Sequence, residues 1–135
     1  MFKRRRSRVK KPTDIELKTY HALDLLKVKF KREQYHGNYP VDFYLPDYNF
    51  SIQVDGSYWH SGCNKCRGDV KLTTKQKFQS NRDKACITYH KYCKISIIRI
   101  CSCTIQENTI EDLANYIGKF LKRIKEGEKI YELRD

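Results

Sequence analysis

At 135 residues the chain has the length of one domain, enough to bury roughly two-thirds of the surface of its unfolded form without disulfide staples. Its 28 Lys and Arg against 16 Asp and Glu give a formal net charge of +12, so a polyanion is the expected partner and nucleic acid stands first. A membrane partner is set aside and a soluble intracellular location (cytoplasm, nucleoid or nucleus) is expected: no apolar run approaches the ~18 residues of a membrane span, and Met1-Phe2 passes at once into Lys3-Arg4-Arg5-Arg6 instead of a signal-peptide core.

In chain order, residues 1–11 carry Arg4, Arg5, Arg6, Arg8, Lys10 and Lys11 with too little apolar surface to pack, and read as a flexible basic arm that tracks phosphates. Residues 12–135 read as a single domain. Pro12-Thr13-Asp14-Ile15-Glu16 opens a helix with a Thr-x-x-Glu capping box, and Ile15, Thr19, Ala22, Leu23 and Leu26 recur at helical spacing up to an end near Lys27. Residues 28–35 alternate as a strand, His36-Gly37-Asn38 turns, and residues 39–45 and 50–55 form two further strands around the loop Pro46-Asp47-Tyr48-Asn49. A helix follows over 73–92, with Phe78, Ala85, Cys86 and Tyr89 expected on its inner face. Residues 94–100 read as a buried strand, and a last helix is expected to be capped by Asn108. The order α-β-β-β-α-β-α predicts a mixed α/β sheet flanked by helices.

The four-residue loop at 46–49 sets a hairpin register in which Leu45 faces Phe50, Phe43 faces Ile52 and Val41 faces Val54. The opposite face then carries Asp42 across from Gln53, with Asp55 diagonal to Asp42. Two carboxylates held this close repel unless a cation lies between them. A hard divalent ion such as Mg²⁺ takes oxygen ligands from one or two carboxylates and suits phosphodiester hydrolysis. Spacing alone leaves open an ordinary solvated sheet face.

The runs Pro12-Thr13-x-Ile15-Glu16, Val41-Asp42-Phe43-x-Leu45-Pro46, Ile52-Gln53-Val54-Asp55-Gly56-x-x-Trp59-His60, Arg82-Asp83 and Ile97-Ile98-Arg99-Ile100 together resemble the very-short-patch-repair (Vsr)-like branch of the PD-(D/E)XK nucleases. They look most like its EDxHD homing endonucleases. The resemblance implies a restriction-endonuclease-like fold and a Mg²⁺-dependent endonuclease acting on double-stranded DNA. Asp42 and Asp55 would be the metal-binding acids and His60 the general acid or base. Glu16 and Asp83 match the outer acids of the motif. Gln53 stands where relatives often carry Glu, and Asp55 where the wider superfamily carries Lys. Near this loop the resembling repair enzymes wedge aromatics into DNA, which gives Trp59 a candidate contact role; Lys71, Lys75 and Lys77 would join the arm on the backbone. Such a chain would nick as a monomer or cut both strands as a homodimer on DNA.

The six cysteines lie in a chain without a secretory segment, so metal ligation is favoured over disulfides. Cys63-Asn64-Lys65-Cys66 has metal-ligand spacing, and Cys101-Ser102-Cys103 is expected beside the end of the strand 50–55. A structural Zn²⁺ on Cys63, Cys66, Cys101 and Cys103 follows, with His60, His90, Cys86 or Cys93 as substitutes for one ligand. Cys86 and Cys93 are otherwise assigned to the core. A zinc-containing nucleic-acid-binding module without catalysis is the alternative function, and Gln53 is its best argument.

Overall fold

The computed structural model describes residues 13–55 and 73–132. The basic arm, Trp59, His60, Cys63, Cys66 and Lys71 lie outside the described residues. The described elements are α1 (Asp14–Leu26), β1 (Lys31–His36), β2 (Tyr39–Leu45), β3 (Phe50–Asp55), α2 (Thr74–Cys93), β4 (Ser96–Cys101), the short α3 (Ser102–Glu107), α4 (Ile110–Lys125) and β5 (Tyr131–Glu132). The strands form one sheet in sequence order. β1, β2 and β3 pair antiparallel, and β4 and β5 add on in parallel.

Local chemistry explains the element ends. The Thr13 hydroxyl accepts from Glu16 N while the Glu16 carboxylate accepts from Thr13 N, both at 3.2 Å, so two otherwise orphaned donors are satisfied where α1 begins. Thr73 and Gln76 build the same box on α2. The last long helix is capped by Thr109, whose hydroxyl accepts from Asp112 N at 3.0 Å, and not by Asn108. Asn108 instead closes α3, its side-chain amide donating to Thr104 O at 2.6 Å. β1 starts at Lys31, three residues later than alternation suggested, because Val28 and Phe30 pack against the main core as part of the connection from α1.

Two layers of side chains hold the sheet. On one face α1, α3 and α4 bury Ala22, Leu23, Ile105, Leu113, Ile117 and Phe120 against Phe43, Leu45, Phe50, Ile52, Ile98 and Ile100. A fully buried side chain of this kind contributes roughly 1.5–3 kcal/mol. On the other face α2 covers Val41 and Ile97 with Cys86 and Ile87, a much smaller apolar patch. The inner face of α2 is largely polar, carrying Gln76, Asp83 and His90 beside Cys86 and Ile87. For that reason Phe78, expected inside, is 65% exposed. Cys93, also expected in the core, is exposed as well.

At the β1–β2 turn Gly37 has φ +63°, and a Cβ there would lie 2.8 Å from Tyr89 Cζ. Gly37→Ala is therefore expected to lower stability by about 1–2 kcal/mol through left-handed backbone strain and the clash. The urea midpoint measures it, and an unchanged midpoint contradicts it.

Candidate functional site

The hairpin register holds at Leu45↔Phe50 and Phe43↔Ile52, then stops. Pairing between β1 and β2 also skips one position: Arg32↔Phe43 is followed by Gln34↔Val41, and the skipped Glu33 has φ +51°. Asp42 thus sits where regular pairing fails on both sides. Val41, expected to share a face with Phe43, instead packs with Cys86, Ile87 and Ile97 on the α2 side, whereas Val54 stays with the main core. Side chains replace the missing ladder. Gln53 Oε1 accepts from Asp42 N at 3.1 Å, and Val54 N donates to Asp42 Oδ2 at 2.8 Å. Among the described residues Asp42 Oδ1 accepts no hydrogen bond.

That carboxylate lacks a counter-ion. Burial pushes its pKa up to about 7; the Val54 N–H opposes the rise, Glu16 and Asp55 add to it by repulsion, and Arg99 offsets part of it. A buried carboxylate with an open oxygen and no cation beside it fits a hard divalent ion. Among the described residues no three His, Cys, Asp or Glu side chains form a ready-made metal cluster.

The other acids are differently placed. Asp55 is wholly buried and receives Arg99 in a two-pronged ion pair, Nε to Oδ2 at 3.0 Å and Nη2 to Oδ1 at 2.9 Å. The same Nη2 reaches Asp83 Oδ1 on α2 at 2.8 Å, and Gln79 Nε2 donates to that oxygen at 3.0 Å. Burial works against the charge on Arg99, but Asp55 and Asp83 outweigh it and hold the guanidinium above its ordinary pKa. Breaking one arm of such a buried network typically costs 3–5 kcal/mol, because it strands a charge. Glu16 divides its carboxylate between the helix cap and Arg32, 3.5 Å away, so capping and proximity to Asp42 coexist in one side chain.

Asp42, Gln53, Asp55, Asp83 and, at the edge, Glu16 are therefore brought together. Sequence reasoning missed Arg99 as a site residue. The available signal was the arginine inside the apolar run Ile97-Ile98-Arg99-Ile100: a charge on a buried strand requires carboxylates beside it. A small cavity of about 190 Å³ between α2 and the sheet is lined by Gln53, Gln79, Arg82, Asp83, Cys86 and Arg99, with Tyr39 and Pro40 at its rim. Lys75 and Lys77 are exposed on the first turns of α2, the helix that supplies Asp83. The largest groove, about 830 Å³, lies instead at the opposite ends of β2 and β3 and carries Lys27, Lys29, Lys125 and Lys129 around Tyr48. Lys27 and Lys125 stand at helix C-termini, where cations answer the macrodipole.

His90 is excluded as a zinc ligand by its surroundings. It is wholly buried, its Nδ1–H donates to Cys86 O at 2.9 Å, and its Nε2 accepts from the Ser51 hydroxyl at 3.0 Å. Cys86 is buried beside it in the α2 layer. Cys101 pairs in parallel register with Asp55, so Cys101 and Cys103 stand at the strand end from which residues 56–72 depart. Among the described residues no helix is long and apolar enough to cross a membrane.

The comparisons bear on this arrangement. No family model matches the chain, and no curated protein sequence does. Among solved structures, the homing endonuclease I-Bth0305I catalytic domain superposes with a TM-score of 0.61 at 18% identity, over 84% of this chain and 98% of that one. The two chains share a fold. It is the nuclease-like, PD-(D/E)XK type of mixed sheet flanked by helices.

Proposed function

We propose that the protein is a Mg²⁺-dependent DNA endonuclease of the Vsr-like, EDxHD type. The observation that carries this reading is the uncompensated carboxylate of Asp42, set where two strand pairings break and beside the Asp55–Arg99–Asp83 network, on a fold shared with a homing endonuclease catalytic domain. Asp42 Oδ1 would hold the ion. Asp55 would add one of the lone pairs that Arg99 leaves over, since a carboxylate has about four. The bound ion supplies charge stabilisation at the phosphate and a more acidic water.

The chain's own groups do the rest. Gln53 spends its carbonyl oxygen on Asp42 N and so fixes the ligand strand instead of adding charge. Glu16 presents negative potential to Asp42 from α1. His60, with an ordinary pKa of ~6.5, is suited to proton transfer near neutrality. Lys75, Lys77 and Lys71, with the arm residues, would hold the phosphate backbone of duplex DNA, and Trp59 would contact the bases. A structural Zn²⁺ on Cys63, Cys66, Cys101 and Cys103 would tie the His60 segment to the end of β4. The register Asp55↔Cys101 supports it.

A binding-only reading is favoured by one observation: Gln53 and Asp55 are both already engaged, with backbone and with Arg99. Supercoiled plasmid incubated with Mg²⁺ separates the two. Relaxation by the wild type that Asp42→Ala lacks is expected. Salt-dependent binding without relaxation under Mg²⁺ or Mn²⁺ leaves the binding module standing.

A further inference from the structure

We infer that Arg99 is a built-in counter-ion that limits this site to one divalent cation and, as a positioning residue, fixes Asp55 against α2. The inference rests on the metal-dependent reading above and specifies how many ions the site accepts.

The geometry is that of a cation already in place. The guanidinium is 3% exposed, meets both oxygens of Asp55 at 2.9 and 3.0 Å, and spans to Asp83 at 2.8 Å. Two carboxylates from different elements, one ending β3 and one midway along α2, converge on a single buried positive charge. Carboxylates so arranged would otherwise need a metal between them. Asp42 stands outside this grip, with its one engaged oxygen on a backbone N–H. Charge counting over the four groups gives three negatives and one positive, a deficit that one divalent ion cancels. Glu16 is set apart by its own partner, Arg32. A second divalent ion would meet a site already neutral and would have to displace a forked, desolvated guanidinium. Remove the guanidinium and the deficit grows to three, leaving Asp55 and Asp83 with reason to recruit a second cation.

Titration of the full chain with Mn²⁺ at pH 8, by calorimetry and by the electron paramagnetic resonance signal of free Mn²⁺, counts the ions directly. Wild type is expected to bind one Mn²⁺ per chain. Arg99→Lys, which keeps the charge but loses the fork, is expected to keep one. Arg99→Gln is expected to bind two, or one with at least about tenfold higher affinity, and to gain more in thermal midpoint from Mn²⁺ than wild type does. Two ions on wild type, or an Arg99→Gln protein that binds as wild type does, overturns the inference. If Arg99→Gln does not fold even with Mn²⁺, Asp83→Asn reads the same count from the other side. It preserves the Asp55 pair, removes one negative charge, and should weaken Mn²⁺ binding about tenfold; unchanged affinity overturns the inference. A wild type that binds one ion yet relaxes no plasmid defeats the nuclease reading alone, whereas relaxation with two ions bound defeats the Arg99 inference alone.

Discussion

Asp42→Asn is expected to lower plasmid relaxation about a thousand-fold or more and, in the same protein, to raise stability at pH 8 when no metal is present. Loss of activity follows from removing the one carboxylate whose charge is not already answered, on the scale seen when a key electrostatic group is deleted from an active site. The gain in stability follows from the same fact. The Asp42 carboxyl titrates near 7 in the fold against an ordinary 3.8, so the fold favours its protonated form. Raising the pH through that interval ionises a group the fold would keep neutral, and stability falls. At roughly 1.4 kcal/mol per pH unit the loss is on the order of 4 kcal/mol, complete above pH 7. Asparagine is neutral at every pH, has the same shape, and still offers an oxygen to Val54 N. Urea unfolding at pH 8 in chelator reads the sign. A less stable Asp42→Asn protein would mean that Asp42 is an ordinary paired surface acid and not a waiting ligand. Such a gain in stability from losing a functional residue is the usual mark of a site held for chemistry at a cost to the fold.

The second large effect concerns acid. His90 is held down to about 4 from an ordinary 6.5, first by burial and then by the neighbouring His36 and Arg99, against the opposing bond to Cys86 O. A histidine whose folded pKa is depressed contributes stability above 6.5 that is lost as the pH falls towards 4, here on the order of 3 kcal/mol. Over much of the same range Asp42 gains stability on acidification. The two slopes oppose each other, so the metal-free wild type should be nearly level between pH 7 and 4 as far as these two groups decide it. Each substitution then uncovers its partner. Asp42→Asn should lose stability steeply below pH 6.5, while His90→Gln should gain it from pH 7 downward, whatever its absolute stability. Urea midpoints at four pH values decide it; parallel curves for the two variants would contradict the assignment of both groups. The Ser51 hydroxyl and Cys86 carbonyl that bracket His90 show why protonation is resisted: Nε2 is already an acceptor, and an added proton would face a wall of buried neighbours.

Much of this was legible before the tertiary structure. Thr13 and Glu16 announced the first helix through their spacing, and the tetrad Pro46-Asp47-Tyr48-Asn49 fixed the pairings Leu45↔Phe50 and Phe43↔Ile52, because a short loop leaves few registers open. Asp42 and Gln53 were correctly set opposite one another. Their contact was not foreseen, since it depends on the ladder stopping at Ile52 and on Glu33 leaving the β1 register. Val41 went to the other face for the same reason. Phe78 illustrates a different failure. Hydrophobic periodicity assumes an apolar interior, and α2 faces a polar one of Asp83, Arg99 and His90.

The sequence by itself determined the elements, their order and the hairpin register, because capping, turn chemistry and period-2 alternation act between residues close along the chain. It also determined a strongly basic molecule with a few acids at chosen positions. Only the tertiary structure decided which of those acids is answered by a cation. Asp55 and Arg99 are 44 residues apart and Arg99 and Asp83 are 16 apart, and no local rule joins them. Their pairing follows from β4 lying parallel to β3 with α2 packed across both, and it leaves Asp42 as the one carboxylate of the cluster still without a counter-ion.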